Sequence, residues 1–219
     1  MKELDALRAE LDRWGEAGRE ATLWWRDDDA EAPDAPVMRM LELSARHEAG
    51  CFIAAVPARA VDALGPAIVA CPTAVPFQHG WAHEDHSPAG VKGKWELGLH
   101  RPKDEILDEL RRGRARMAEL FGARDRPMLG PPWNRIAPEL YADLPELGFE
   151  VLSTFAPRPR ATPAPGLRQV NGHVDIISWK RGRSFIGAEK TANRLADHLA
   201  QRRRGEVEDE PTGLLTHVW

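Results

Sequence analysis

Two hydrophobic patterns alternate along the chain, one typical of amphipathic helices and one typical of buried strands. Within residues 1–20, apolar side chains recur at helical spacing and predict an N-terminal amphipathic helix: Leu4, Leu7, Leu11 and Trp14. The same spacing predicts helices at 36–48, 103–121, 138–147 and 188–204. Short apolar runs that end at polar or turn residues predict strands at 21–25, 51–56, 73–77, 127–132, 149–154, 174–179 and 213–219.

This alternation of strands and helices predicts an α/β fold with a parallel sheet and right-handed crossovers. About seven strands in a chain of 219 residues favour a distorted (β/α) barrel, with a doubly wound open sheet as the alternative. No linker or internal repeat divides the chain. Residues 21–219 are therefore expected to form a single domain that follows the helix of residues 1–20.

Composition and charge narrow the class of protein. Apolar residues make up 42% of the chain, so a packed core is expected. The net charge of −4 argues against a nucleic-acid partner, because phosphate binding needs a basic surface. No apolar run approaches the ~18 residues that a membrane span needs. Two cysteines fit a reducing compartment, so a cytoplasmic protein is expected, and its oligomeric state is left open.

Polar side chains collect where the predicted strands end. They are Asp27, Asp28 and Asp29, then His79 and His83, then Trp133 and Asn134, then Asp175 and Trp179, and finally His217. Because the carboxyl ends of parallel strands meet at one face of a barrel, these groups are expected to share a site.

The aspartates and histidines at these strand ends favour a metal site. Three adjacent carboxylates repel each other unless a cation lies among them. Two imidazoles with one carboxylate suit Zn²⁺ or a similar divalent ion and leave positions open for water and substrate. The alternative is a solvated acidic turn beside a polar loop that contains histidines by chance. That alternative explains either cluster alone but not the occurrence of both at one face.

The same residues resemble the five short motifs of the polysaccharide deacetylases, the NodB-like carbohydrate esterases of family 4, over roughly residues 21 to 219. Arg26–Ala30 is similar to the first motif, and His79–His83 matches the second, with a histidine at each end. Leu214–His217 is similar to the fifth. The resemblance implies a NodB-like distorted barrel.

The resemblance also implies a role for each of these polar residues. Asp28 would be the catalytic base and Asp29 a metal ligand, whereas a one-residue slip would give these roles to Asp27 and Asp28. In the first register, Asp27 orients its neighbours. The other implied roles are metal ligand for His79 and His83 and general acid for His217.

The third motif matches only in part. Pro132 and Trp133 fit its proline and aromatic positions, but Gly130 stands where the family has the arginine that orients the catalytic aspartate. Arg26 and Arg135 are the candidates to replace that arginine.

The fourth motif also departs from the family pattern. Asp175 and Trp179 match it, but Ser178 replaces the second aspartate, which in the family tunes the acid histidine. Because a nearby negative charge raises the pKa of a histidine, His217 is expected to hold its proton less firmly here.

The resemblance implies a metal-dependent hydrolase that removes an N-acetyl or other acyl group from a sugar or related amide. Zn²⁺ is the expected cofactor, with Co²⁺, Ni²⁺ or Mn²⁺ as alternatives, and the expected partner is a small molecule or carbohydrate. The alternatives are a catalytically degenerate sugar-binding barrel and a hydrolase of non-carbohydrate amides. The expected substrate-binding residues are Trp81, Pro132, Trp133, Asn134 and Trp179. The expected supporting residues are Arg26, Asp27 and Asp175.

Tryptophans are numerous near these groups. Six of the eight lie within a few residues of a site residue and predict an aromatic rim: Trp24, Trp25, Trp81, Trp133, Trp179 and Trp219. Because strand residues alternate between faces, some of them are expected to pack in the core, which is the favoured role for any single one.

Overall fold

Eight parallel strands form one curled sheet at the centre of the computed structural model, which describes residues 2–179 and 182–217. The strands of the chain are β1 (Leu23–Ala30), β2 (Cys51–Ala55), β3 (Ala74–His79), β4 (Arg126–Gly130), β5 (Val151–Leu152), β6 (Arg168–Gln169), β7 (Val174–Asp175), β8 (Ile177–Ser178), β9 (Ser184–Phe185) and β10 (Thr212–His217). Their order in the sheet is β6-β5-β4-β3-β2-β1-β10-β7, and β8 pairs with β9 as a separate antiparallel hairpin.

This strand order confirms the predicted distorted barrel. From β1 to β6 the strands lie side by side in chain order, without the central reversal of a doubly wound sheet. The last long strand, β10, returns to pair with the first, as a closing barrel requires. The sheet ends at β6 and β7, so the barrel is incompletely closed.

In the described part of the chain, five α-helices surround the sheet or flank it. They are α1 (Asp5–Glu16), α2 (Ala35–Arg46), α3 (Leu64–Val69), α4 (Lys103–Phe121) and α5 (Ala188–Arg204). The predicted helix at 138–147 is instead two 3₁₀ turns, Pro138–Leu140 and Pro145–Leu147. Pro145 has no backbone N–H and its ring crowds the preceding turn, so a continuous helix breaks there. Helix α3 and strand β6 were not predicted, because both are too short to show a clear period.

Alternate residues of β1 face opposite sides of the sheet, as in any strand. Trp24 packs inside the barrel against side chains of the neighbouring strands, including Phe52 and Phe77. Trp25 packs on the outer side, against the core between the sheet and helices α2 to α4. Asp28 therefore has the same orientation as Trp24, towards the interior, and Asp27 has that of Trp25.

The predicted N-terminal helix is confirmed and packs against α5. Trp14 of α1 is buried, and its indole N–H donates to the Leu199 carbonyl oxygen at 3.2 Å. The guanidiniums of Arg19 and Arg202 lie over the ring, 4.4 and 5.1 Å from its centroid. Among the described residues, no helix is long and apolar enough to cross a membrane.

A buried histidine pair joins α5 to the opposite end of the barrel from the predicted site. The His173 and His198 rings stack with centroids 3.7 Å apart. His173 accepts the Gly213 N–H at its Nδ1 and contacts Glu210 through Nε2 at 3.0 Å. Burial lowers the pKa of His198 to about 4, and the neighbouring His173 and Arg202 add to this effect.

This pair should make the fold sensitive to acid. The pKa of His198 in the folded chain lies below its ordinary value, so the unfolded chain binds the proton more tightly. The stabilisation that comes from keeping His198 neutral is fully present well above about pH 6.5, and it is lost as the pH falls towards 4. We expect a contribution of about 2 kcal/mol to be lost between about pH 7.5 and about pH 5.

The measurement is urea unfolding of the wild type and His198→Phe at both pH values. Phenylalanine keeps an aromatic ring beside His173 and cannot titrate, so this variant should lose less stability on acidification than the wild type. The exposed His47 provides the control, because His47→Phe should lose as much stability as the wild type. Equal losses in the wild type and His198→Phe would contradict the assignment.

Candidate metal centre and active site

Two consecutive aspartates face one cavity because the backbone of β1 is irregular at its end. Consecutive residues of a regular strand point to opposite faces. Asp29, however, has a left-handed backbone with φ of 76°, and the pairing of β1 with β2 shifts register between Asp27 and Ala30. This local bulge brings the side chains of Asp28 and Asp29 into the same cavity.

Asp27 lies on the other side of the strand. It accepts a hydrogen bond from the Thr216 hydroxyl, and Trp25 donates to the same hydroxyl at 2.7 Å. Burial raises the pKa of Asp27 to about 7. This position outside the cavity favours the register in which Asp28 and Asp29 are the functional pair.

Asp29, His79 and His83 form a set that could hold a metal ion. One ligand atom of each lies within 4.8 Å of the others. The Oδ1 atom of Asp29 is 3.3 Å from His79 Nε2 and 3.2 Å from His83 Nε2. Ligand atoms about 2.1 Å from a tetrahedral Zn²⁺ lie about 3.4 Å apart, so these separations fit such an ion.

Neighbouring groups orient His79 and favour the charged form of Asp29. His79 lies at the end of β3 with its Nδ1 2.8 Å from the Gly130 carbonyl oxygen, which leaves Nε2 directed at Asp29. Burial disfavours the charged form of Asp29, but contacts with the imidazoles of His217, His79 and His83 outweigh it and hold the pKa of Asp29 well below its usual range.

Arg26 holds Asp28 inside the barrel. The guanidinium is completely buried and binds both carboxylate oxygens of Asp28, Nε to Oδ1 at 2.7 Å and Nη2 to Oδ2 at 2.8 Å. Its Nη1 donates to the carbonyl and hydroxyl oxygens of Ser153 at 3.0 and 3.1 Å. The carboxylate is therefore fixed in orientation by a bidentate pair.

The glycine in the third motif leaves room for this arginine. A Cβ atom at Gly130 would lie 3.0 Å from Arg26 Nη2, which is tighter than normal packing allows. Arg135, the other candidate, donates instead to the Lys94 carbonyl oxygen at 3.2 Å. Of the two candidates, Arg26 from β1 is therefore the one that binds Asp28.

His217 lies at the end of β10 between two carboxylates. Its Nδ1 is 3.5 Å from Asp29 Oδ2, and its Nε2 is 3.7 Å from Asp175 Oδ2. Burial lowers the pKa of His217, but the nearby carboxylates of Asp175 and Asp29 outweigh it and raise the pKa to about 10. This corrects the expectation of a loosely held proton, because Asp175 supplies the negative charge that Ser178 cannot.

Trp179 completes the surroundings of His217. Its indole N–H donates to Asp175 Oδ2 at 2.6 Å, and its ring meets the His217 ring edge-on at 4.9 Å between centroids. The Ile177 N–H donates to the other oxygen of Asp175 at 2.8 Å. These two bonds fix the carboxylate that faces the histidine.

An open cavity of about 760 Å³ contains these groups. Of the predicted site residues, those that line it are Asp28, Asp29, His79, His83, Trp133, Asn134, Asp175, Trp179 and His217. Trp133 and Asn134 have left-handed backbones, with φ of 54° and 57°, and the Trp133 ring contacts the His83 ring at 4.4 Å. The cavity is therefore lined by the three residues that could hold a metal ion and by two indoles.

The predicted aromatic rim is smaller in the structure. Trp81 lies away from the cavity, with the Arg112 guanidinium 4.3 Å from its ring centroid. Trp24 and Trp25 pack inside and outside the sheet, and Trp219 falls outside the described residues. Pro132 is buried beneath the loop that follows β3 rather than in the cavity wall.

One buried carboxylate near the site has no sequence signal. Glu96 accepts hydrogen bonds from backbone N–H groups of the loop that carries His83. These amides precede it by 12 to 15 residues, so no local motif marks the contact.

Comparison with known proteins identifies the fold. No protein-family model and no curated protein matches the sequence. Among solved structures, a family 4 carbohydrate esterase from Streptomyces lividans in complex with acetate is similar over 91% of this chain and 80% of its own, at 14% identity and a TM-score of 0.56. The peptidoglycan deacetylase PdaC from Bacillus subtilis is similar over 90% of this chain and 75% of its own, at 14% identity and a TM-score of 0.53.

A third similar structure is a mutant of BA3943, a pseudoenzyme of the same esterase family with restored enzymatic activity. It covers 90% of this chain and 57% of its own, at 17% identity and a TM-score of 0.54. The chain thus has the NodB-like fold of the family 4 carbohydrate esterases, in a divergent form. Because active and inactive proteins share this fold, the function rests on the site's own residues.

The buried pair of Arg26 and Asp28 should be costly to break. Removing one partner leaves an uncompensated charge inside the barrel, so we expect Arg26→Met to lower the free energy of unfolding by about 3–5 kcal/mol. Adding Asp28→Asn to Arg26→Met removes that charge and should recover part of the loss. Urea unfolding measures both effects.

The control is the exposed pair of Arg59 and Glu31, 3.4 Å apart, for which Arg59→Met should cost less than about 1 kcal/mol. Similar losses in the free energy of unfolding of Arg26→Met and Arg59→Met would show that the buried Arg26 contact stabilises the fold no more than the exposed pair does.

Proposed function

We propose that the chain is a metal-dependent deacetylase that removes an N-acetyl group from a sugar. The observation that carries this proposal is the meeting of three kinds of group in one cavity. These are a possible metal-binding set at Asp29, His79 and His83, a carboxylate oriented by an arginine, and a histidine held by carboxylates. The similarity of the fold to that of known deacetylases also supports this proposal.

The donor set suits a small divalent cation. Two imidazole nitrogens and one carboxylate oxygen are ligands that Zn²⁺ accepts, and Co²⁺, Ni²⁺ and Mn²⁺ are the alternatives. A cation held there would supply Lewis-acid chemistry, lowering the pKa of bound water and polarising the acyl carbonyl. The remaining chemistry belongs to side chains of this chain.

Asp28 is suited to take the proton from the attacking water. It is not part of the metal-binding set, yet it lines the same cavity. Arg26 occupies one lone pair on each carboxylate oxygen and so fixes the orientation of the acceptor atoms. The other lone pairs are left to accept a proton from a water molecule in the cavity.

His217 is suited to protonate the leaving amine. Amide hydrolysis needs a proton donor at this step because an unprotonated amine leaves poorly. Asp175 and Asp29 favour the charged imidazolium, which is the form that can donate. Trp179 holds Asp175, so the donor's orientation depends on both residues.

The size of the cavity and the tryptophans that line it support a sugar substrate. The space of about 760 Å³ is in the range of small-ligand sites. Trp133 and Trp179 line it, and indole faces stack well on the apolar faces of sugar rings. Gly130 and Ser178 lack the arginine and the aspartate of the motifs and would favour the degenerate sugar-binding alternative. Against it, Arg26 binds Asp28 and Asp175 lies beside His217.

The test is acetate release from a panel of N-acetylated sugars and N-acetylated non-sugar amines by Zn²⁺- or Co²⁺-loaded protein. We expect release from at least one sugar and a loss of about 10²-fold or more in kcat for Asp28→Asn, because an amide is a poor base. Metal content should not change in this variant.

Asp34→Asn is the matched control, since Asp34 lines the same cavity and asparagine can keep its role as cap of α2. It should retain most of the rate. An Asp28→Asn protein with wild-type kcat would refute the base assignment. Sugars that bind but never release acetate would instead identify a binding protein, and release only from non-sugar amides would change the substrate class.

A further inference from the structure

The loop between β3 and the metal-binding His83 is organised around one buried carboxylate. Glu96 is 1% exposed. Its Oε2 accepts the Trp81 N–H at 3.0 Å, and its Oε1 accepts the Ala82 N–H at 2.7 Å and the Glu84 N–H at 3.4 Å. These amides lie on both sides of His83, so the loop wraps around the carboxylate.

The backbone of this loop needs such support. His83 has a left-handed backbone with φ of 55°, which costs free energy for a residue other than glycine. Gly80 also has a positive φ, 56°, and a Cβ atom there would collide with Glu96 Oε2 and with the ring of Pro132. Charge-assisted hydrogen bonds to the backbone offset this strain more strongly than neutral bonds could.

The segment that carries Glu96 is itself anchored to the other wall of the cavity. Leu97 is fully buried and pairs with Ile136, and its carbonyl oxygen accepts the Ala137 N–H at 2.9 Å. Two residues separate Ile136 from the turn at Trp133, whose ring contacts His83. Glu96 therefore connects the loop that carries His83 to the segment that follows β4.

We propose that Glu96 is a positioning residue of the candidate metal centre: its buried carboxylate holds the loop so that His83 Nε2 faces Asp29, and it thereby sets the metal affinity of the site. This inference rests on the proposed metal-binding role of Asp29, His79 and His83. Glu96 does not contact the metal-binding set directly. Without its carboxylate, His83 must be ordered by the metal itself, and that cost weakens binding.

Glu96→Gln tests the inference with little change of shape. The amide replaces one acceptor oxygen with an NH₂ group, which then faces a backbone N–H donor and cannot accept its hydrogen bond. We expect the Kd for Co²⁺, measured by titration of the visible absorption, to rise about 10- to 100-fold. The shape of the Co²⁺ spectrum should change as well, because His83 is displaced.

Glu84→Gln is the matched control. Glu84 is exposed and adjacent to His83, so the variant removes the same charge near the same site and leaves the Glu96 carboxylate in place. Its Kd for Co²⁺ should stay within about fivefold of the wild type, the range of an exposed charge. Glu96→Asp keeps the charge on a shorter side chain and should give a Kd between those of the wild type and Glu96→Gln.

The outcomes separate this inference from the proposed function. If the wild type binds Co²⁺, His83→Ala does not, and folded Glu96→Gln binds like the wild type, the role of Glu96 is refuted while the metal centre stands. A wild type that binds no Co²⁺ refutes the metal centre, and the inference with it.

Amide exchange in the wild type decides the question even if the Glu96 variants do not fold. Protection of the N–H groups of Trp81, Ala82 and Glu84 in the metal-free protein supports a loop that is already held. Rapid exchange of all three would show that the carboxylate does not order the loop, and would overturn the proposal.

Discussion

A bidentate ion pair inside the barrel, between Arg26 and Asp28, is the interaction on which the rest of the site depends. A guanidinium with no exposed surface is tolerated only if its donors are satisfied, and here the acceptors are Asp28 on its own strand and Ser153 just beyond β5. The hydrogen bonds from Arg26 to Ser153 tie the first strand to the segment that follows β5. Gly130 leaves room for the arginine, because a Cβ atom at that position would lie 3.0 Å from Arg26 Nη2.

Positive and negative groups alternate through the cavity, beginning with Arg26 and Asp28. Arg26 faces Asp28, the possible cation site lies between Asp29 and the two histidines, and His217 lies between Asp29 and Asp175. Each carboxylate thus has a positive partner or a place for one, which lets several acids share a confined space. In the proposed reaction, this arrangement would separate the base Asp28 from the acid His217, as hydrolysis of an amide requires.

The sequence predicted the fold and the location of the site well, since both depend on local patterns. The polar residues that follow the apolar runs meet at one face, although β1 continues beyond its apolar run through the aspartates to Ala30. It could not fix the register of the aspartates, because this depends on the left-handed backbone of Asp29. Long-range contacts were only partly visible: Arg26 was one of two candidates for the arginine missing at position 130, the contact of Asp175 with His217 depends on the fold, and Glu96 binds amides across a loop.

Metal content of Asp-to-Asn variants tests the central claim most directly, since asparagine tolerates the left-handed backbone at position 29. After Zn²⁺ loading and removal of free ion, elemental analysis should find about one divalent ion per chain in the wild type and in Asp28→Asn. It should find almost none in Asp29→Asn, in which the carboxylate ligand has become a neutral amide. Loss of metal from Asp28→Asn with retention in Asp29→Asn, or a wild type that takes up no metal at all, would contradict this account of the site.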